Sequence, residues 1–136
     1  MTLTDTGPLV ALLDRQDHNH ARCMGTLVDL PPDPLLTTWP CFTEAMHLLF
    51  RDGGQIAQQS LWEMHEGGRL IFYDIEADEI ARMIVLMEKY HDTPMDLADA
   101  SLIATAERLG LKQIFTLDSD FRIYRLSDGS MLNIVP

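Results

Sequence analysis

Six acidic side chains stand where a strand should hand over to a helix or a turn: Asp5 in Leu3-Thr4-Asp5-Thr6-Gly7, Glu44, Asp96 with Asp99, and Asp118 with Asp120. Carboxylates gathered in one pocket repel one another and are costly to desolvate, so a fold that collects several needs a cation to offset them. A hard divalent ion such as Mg²⁺ or Mn²⁺ suits that need. These ions take oxygen ligands, keep several waters, and can activate a water or clamp a phosphate during phosphodiester hydrolysis. Other chemistries lack their residues. His18, His20, His47, His65 and His91 show no zinc-type spacing and read mostly as surface residues. The chain also has no glycine-rich phosphate loop, nucleophile elbow or Cys-His signature.

The acids differ in how well local structure accounts for them. Asp5 ends the first strand, either as a turn or capping residue or as a ligand at the sheet edge. Glu44 lies in apolar helical text between Thr43 and Ala45 and calls for a partner. Asp96 sits three residues after Thr93, where a carboxylate can reach back to a helix cap. Asp99, one turn further in on the same face, has no such task and reads as a ligand. Asp118 follows a strand end and is the stronger candidate of its pair, while Asp120 either caps a short helical turn before Phe121 or adds a further ligand. The hydroxyl of Thr116 could hold a carboxylate or a water.

These residues must be positioned by elements that alternate from end to end. Met1–Asp5 reads as a strand and Pro8–Leu13 as a helix. Asp17 is a candidate N-cap for a helix reaching about Leu30, closed by Pro31, Pro32 and Pro34, and a strand follows at Leu35–Thr38. Helical text runs from Pro40 to Phe50, breaks at Asp52-Gly53-Gly54, and resumes from Ile56 to His65. Leu70–Tyr73 reads as a strand and Glu76–Tyr90 as a helix with Ile80, Met83, Ile84 and Met87 at helical spacing. Thr93-Pro94-Met95-Asp96 offers a cap, a first-turn proline and an acid for a helix ending near Leu109. Ile114–Leu117 and Leu132–Val135 complete the strands. Strands separated by helices predict an α/β sandwich with a mainly parallel sheet, whose ligands lie beyond the carboxyl ends of strands.

At 136 residues and 46% apolar composition, one core and one domain spanning residues 1–136 are expected. No apolar run approaches the roughly 20 residues needed to cross a bilayer, and no basic, apolar leader opens the chain, so a soluble, cytoplasmic protein without membrane contact is expected. Cys23 and Cys41 are unpatterned and suit buried, reduced thiols. The net charge of −11 argues against broad attraction to nucleic acid. An RNA substrate would rely on the metal and on local arginines, and a basic protein partner fits the charge. Eight of the ten basic residues are Arg, which suits bidentate phosphate contacts.

Together, the segments from Leu3 to Asp14, Thr43-Glu44-Ala45, Asp96-Leu97-Ala98-Asp99-Ala100-Ser101-Leu102-Ile103-Ala104 and Thr116-Leu117-Asp118-Ser119-Asp120-Phe121 resemble the four acidic blocks of PIN-domain proteins, in the family's order and across nearly the whole chain. The length is similar to that of the family's VapC-type toxins. The resemblance implies a three-layer α/β sandwich with four or five mainly parallel strands and a Mg²⁺- or Mn²⁺-dependent endoribonuclease site. It places the acidic site residues at Asp5, Glu44, Asp99 and Asp118, with Asp5, Asp99 and Asp118 on the metal and Thr116, Asp96 and Asp120 as accessory positions. It further implies an antitoxin whose basic segment reaches the acidic pocket, and a homodimer burying helical faces. Trp39, Trp62, Met64 and the Met83-Met87 stripe could serve either an interface or the core. A non-catalytic scaffold that binds RNA or protein is the alternative. A response-regulator receiver would need an acidic pair after the first strand, and a haloacid-type phosphatase a second Asp where Gly7 stands.

Overall fold

Runs of three or four residues rich in Leu, Ile, Val, Thr and aromatics make the strands of the protein, and all 136 residues are described in the computed structural model. The order is β1 (Thr2–Thr4), α1 (Thr6–Leu13), α2 (His20–Asp29), β2 (Leu35–Thr38), α3 (Trp39–Glu66), β3 (Leu70–Tyr73), α4 (Ala77–Lys89), α5 (Leu97–Leu109), β4 (Gln113–Phe115), a 3-10 turn (Ser119–Arg122) and β5 (Asn133–Val135). The five strands form one sheet in the order β3-β2-β1-β4-β5, and every pairing is parallel. No helix is long and apolar enough to cross a membrane.

Buried on both faces, the strands use adjacent apolar residues in opposite directions. Leu36 and Ile114 enter a core shared with Met83, Leu86, Leu102 and Ile103, whereas their neighbours Leu35 and Phe115 enter one shared with Leu9, Phe42, Leu49 and Leu61. The sheet therefore lies between a layer of α1, α2 and α3 and a layer of α4 and α5. Each fully buried Leu or Phe contributes about 1.5–3 kcal/mol of transfer free energy, so both layers are held tightly. Thr4, Thr37 and Thr38 are buried in this sheet with their hydroxyls satisfied, Thr37 donating to the Thr4 carbonyl (2.9 Å) and Thr38 paired with Ser101 (2.6 Å).

Chain direction creates the ligand edge. From β1 the chain steps outward through β2 to β3, then returns to lay β4 on the other side of β1. The reversal point between β1 and β4 opens a crevice beyond their carboxyl ends. Asp5 follows β1 and Asp118 follows β4.

Several boundaries depart from the sequence reading. Helix α1 begins at Thr6 rather than Pro8, because Asp5 itself is the cap. Asp17 does not cap α2; it accepts from Asn19 N–H (2.8 Å) in a turn, and Asn19 precedes the helix. The break expected at Asp52-Gly53-Gly54 is present: α3 is two helices that meet at a kink at Gly54, whose φ of 67° only glycine adopts cheaply. Most consequential is α5. Its cap is Asp96, not Thr93, because Thr93 N–H and Met95 N–H both turn back to the Tyr90 carbonyl at the end of α4 (3.1 and 3.0 Å).

Candidate active site

Asp5 is fixed by the strand that precedes it and the helix it starts. Its backbone N–H extends the ladder to the Phe115 carbonyl (2.9 Å), and its side chain accepts from Thr6 N–H (2.7 Å) and from the Thr116 hydroxyl (2.7 Å). Thr116 in turn accepts from Asp118 N–H (3.0 Å), so one hydroxyl ties the ends of β1 and β4 together. Asp118 is the residue that caps the 3-10 turn, accepting from Asp120 N–H (2.9 Å). The capping role expected of Asp120 thus falls to Asp118, since the turn begins at Ser119, two residues earlier than a cap at Asp120 would place it.

Asp96 and Asp99 form a reciprocal capping box: Asp96 accepts from Asp99 N–H at 2.8 Å, and Asp99 from Asp96 N–H at 3.4 Å. Asp99 was expected to lack a local task, yet it sits at the third helical position. The same Asp99 oxygen accepts from the Tyr124 hydroxyl (2.8 Å) across 25 residues. Glu44, on the exposed side of α3, receives the Thr6 hydroxyl (3.1 Å).

Asp5, Glu44, Asp96, Asp99 and Asp118 line one cleft of about 420 Å³ with Thr6, Gly7, Leu48 and Leu117. Asp120 lies outside that lining. No Lys or Arg lines it either. Asp5 and Asp99 are 7% and 6% exposed, so charge on either is poorly solvated. Burial, and to a lesser extent the charges of Asp118 and Glu44, push the Asp5 carboxyl up to about 6 against the pull of Thr116 and Thr6. Burial likewise raises Asp99, with Asp96 and Asp5 adding repulsion and Tyr124 opposing it. Carboxylates and a hydroxyl with no protein cation among them form an oxygen-only donor set that fits a hard divalent ion.

The sequence profile of the PIN domain matches residues 2–126. The chain belongs to the PIN domain family. Over 135 residues, 98% of this chain and 99% of the relative, this PIN domain is 26% identical to Ribonuclease VapC26 of Mycobacterium tuberculosis. Its fold is similar to the crystal structure of VapC20 of the same organism, a sarcin-ricin-loop-cleaving toxin, with a TM-score of 0.84, 18% identity and full coverage of both chains. It is similar also to a toxin-antitoxin complex from Klebsiella pneumoniae, with a TM-score of 0.64, 22% identity, and coverage of 89% of this chain and 90% of that one.

Around the acids of this PIN domain stand residues that the sequence reading passed over. Tyr124 is buried, and a buried phenol needs a hydrogen-bond partner, which is the only sequence-level hint to its pairing with Asp99. Thr6 gave no signal beyond adjacency to Asp5. Elsewhere, Glu76, Asp78 and Glu79 bring three carboxylate oxygens within 4.8 Å of one another at the start of α4. Arg108 lies against all three, paired with Asp78, 3.7 Å from Glu79 and 3.9 Å from Glu76. Arg108 thus gives that trio a counter-charge from within the protein, and the four side chains form a structural ion-pair network. Of the expected interface residues, Met64 and Met83 are core, while Trp39 and Trp62 remain 45% and 41% exposed. Cys23 and Cys41 are buried free thiols, and His20 and His65 are half-buried, bonding backbone carbonyls rather than lying free on the surface.

Proposed function

We propose that this protein is a Mg²⁺- or Mn²⁺-dependent endoribonuclease that hydrolyses RNA phosphodiester bonds as the toxin of a toxin-antitoxin pair. The observation that carries the reading is the meeting of two buried carboxyls, Asp5 and Asp99, with Glu44 and Asp118 in a cleft that supplies no cation of its own. Membership of the PIN family, and similarity to a ribonuclease and to toxins, point the same way.

Asp5, Asp99 and Asp118 would hold the ion, which when bound supplies Lewis acidity toward a phosphate oxygen and acidifies a water. The chain's own residues do the positioning. Thr116 fixes one Asp5 oxygen and Thr6 N–H the other, so the carboxyl cannot rotate without losing a 2.7 Å bond. Tyr124 holds Asp99 in the same manner. Glu44 is exposed at the cleft, with Oε2 engaged by Thr6, and is placed to orient a water and take its proton. Cys23 and Cys41 are wholly buried, and burial raises both thiols above their ordinary range, so neither offers a thiolate to a substrate. Asp96, bound into the α5 cap, acts on the site through Asp99, and Asp120 through the turn that Asp118 caps.

The partners in this reading are RNA, an antitoxin whose basic segment enters the acidic cleft, and a second copy of the chain; the location is cytoplasmic. The test is cleavage of total cellular RNA with Mg²⁺ or Mn²⁺, product ends mapped by sequencing, with Asp99→Asn run beside the wild type. Discrete cuts by the wild type alone, abolished by a chelator, are expected. A folded wild type that binds neither divalent ion nor cuts RNA, yet holds an antitoxin, would instead be a binding module.

A further inference from the structure

A second groove opens from the acidic cleft, and its chemistry is different. It lies between the N-terminal turns of α3 and α5, lined by Trp39, Pro40, Thr43 and His47 on one wall and Leu97 and Ala98 on the other. Glu44 and Asp96 line both cavities, so the two adjoin. The groove measures about 740 Å³ and contains no Lys or Arg. A phosphate would find no positive charge there beyond whatever His47 carries.

The groove offers instead an immobilised aromatic surface. Trp39 stacks on Phe72 at 4.1 Å between ring centroids with planes 12° apart, and Phe42 meets both rings edge-on, at 5.6 Å and 4.8 Å. Trp39 is 45% exposed nonetheless, and Leu97 opposite it is 52% exposed. An indole pinned by its neighbours has little rotamer freedom left to lose on binding. Stacking on such a ring tolerates any base and needs no counter-charge. The exposed imidazole of His47 lies at the same groove and can meet the polar edge of a base, and the Thr43 hydroxyl, which donates to the Trp39 carbonyl (2.8 Å), can accept from one.

We infer that this groove is a nucleobase subsite, in which a base flanking the scissile phosphate of the RNA stacks on Trp39 against Leu97 while the phosphate lies over the acids. The inference rests on the ribonuclease reading and specifies how an enzyme with net charge −11 holds its substrate: by stacking beside the scissile bond rather than by phosphate neutralisation along the strand.

The test has two independent readouts. In cleavage assays, Trp39→Ala is expected to raise KM about tenfold or more with kcat within threefold, Trp39→Phe to recover most of the loss, and Leu97→Ser to raise KM without disturbing the Trp39–Phe72 stack. In the Trp62→Phe background Trp39 is the only indole, so its fluorescence reports binding of each of the four homopentaribonucleotides in chelator, where cleavage plays no part. Quenching is expected, and an abasic ribose-phosphate pentamer should fail to produce it. Wild-type cleavage with an unchanged KM in Trp39→Ala and Leu97→Ser would overturn the subsite and leave the nuclease reading intact. No cleavage by the wild type but base-dependent quenching would do the reverse. Absent quenching, with antitoxin affinity lost in Trp39→Ala, would assign the groove to a protein partner and overturn the proposal.

Discussion

Two groups of acids in this molecule are alike in composition and opposite in electrostatic state. Glu76, Asp78 and Glu79 stand closer together, yet Arg108 reaches all three. Asp5, Glu44, Asp99 and Asp118 share a cleft with no basic lining, and two of them are almost wholly buried. Even the tyrosines correspond: Tyr73 donates to Glu79 at 2.7 Å and Tyr124 to Asp99 at 2.8 Å. Proximity of carboxylates therefore says little about metal binding. What separates the groups is whether the chain supplies the counter-charge, because a buried acid left without one must be protonated or must take a cation from solution.

The sharpest way to break this comparison is to neutralise one acid in each group. Asp118→Asn is expected to reduce RNA cleavage by at least about a hundredfold, whereas Asp78→Asn should leave it within about twofold, since in the proposed nuclease only the first holds the ion. Equal losses in both would show that the α4 trio contributes to the site. A smaller effect tests the missing counter-charge directly. The folded-state carboxyl of Asp5 is raised from 3.8 to about 6, so in chelator its ionisation opposes folding, with the cost absent below about pH 3, growing as pH rises from 3.8 to about 6, and fully present above that. Asp5→Asn should therefore stabilise the protein by up to about 3 kcal/mol at pH 7.5, measured by chemical denaturation in chelator, and the advantage should decline from about pH 6 downward, vanish below about pH 3, and shrink on adding Mg²⁺. A stability difference independent of pH would mean that Asp5 is already compensated. Smallest of all is the tyrosine pair. Tyr124→Phe and Tyr73→Phe should each cost about 1 kcal/mol of stability, but only Tyr124→Phe should also lower cleavage, by about tenfold.

The layered fold was legible because glycine and proline punctuate the chain where elements end and because short apolar strands alternate with longer periodic helices. Leu35–Thr38 and Leu70–Tyr73 stand where the pattern placed them. The start of α5 was not. Thr93 to Asp96 and Asp96 to Asp99 both satisfy the local rule for a capping box, and the choice is made by hydrogen bonds from Thr93 and Met95 to Tyr90, outside any local window. In the same way the acids could be picked out by type and position, but their settings could not. Thr6 on Glu44, Tyr124 on Asp99 and Arg108 on the α4 trio span 38, 25 and about 30 residues, and a single sequence carries no trace of such pairings.

Asp5, Asp96 and Asp118 each begin a helix or turn by accepting backbone N–H groups. Asparagine caps helices about as well as aspartate but carries no charge, so at these three positions a single-step genetic change can disarm the cleft while the chain still folds. Such changes keep the outer surface of the protein intact, so at these three positions loss of the cleft's charge and loss of the fold can arise separately.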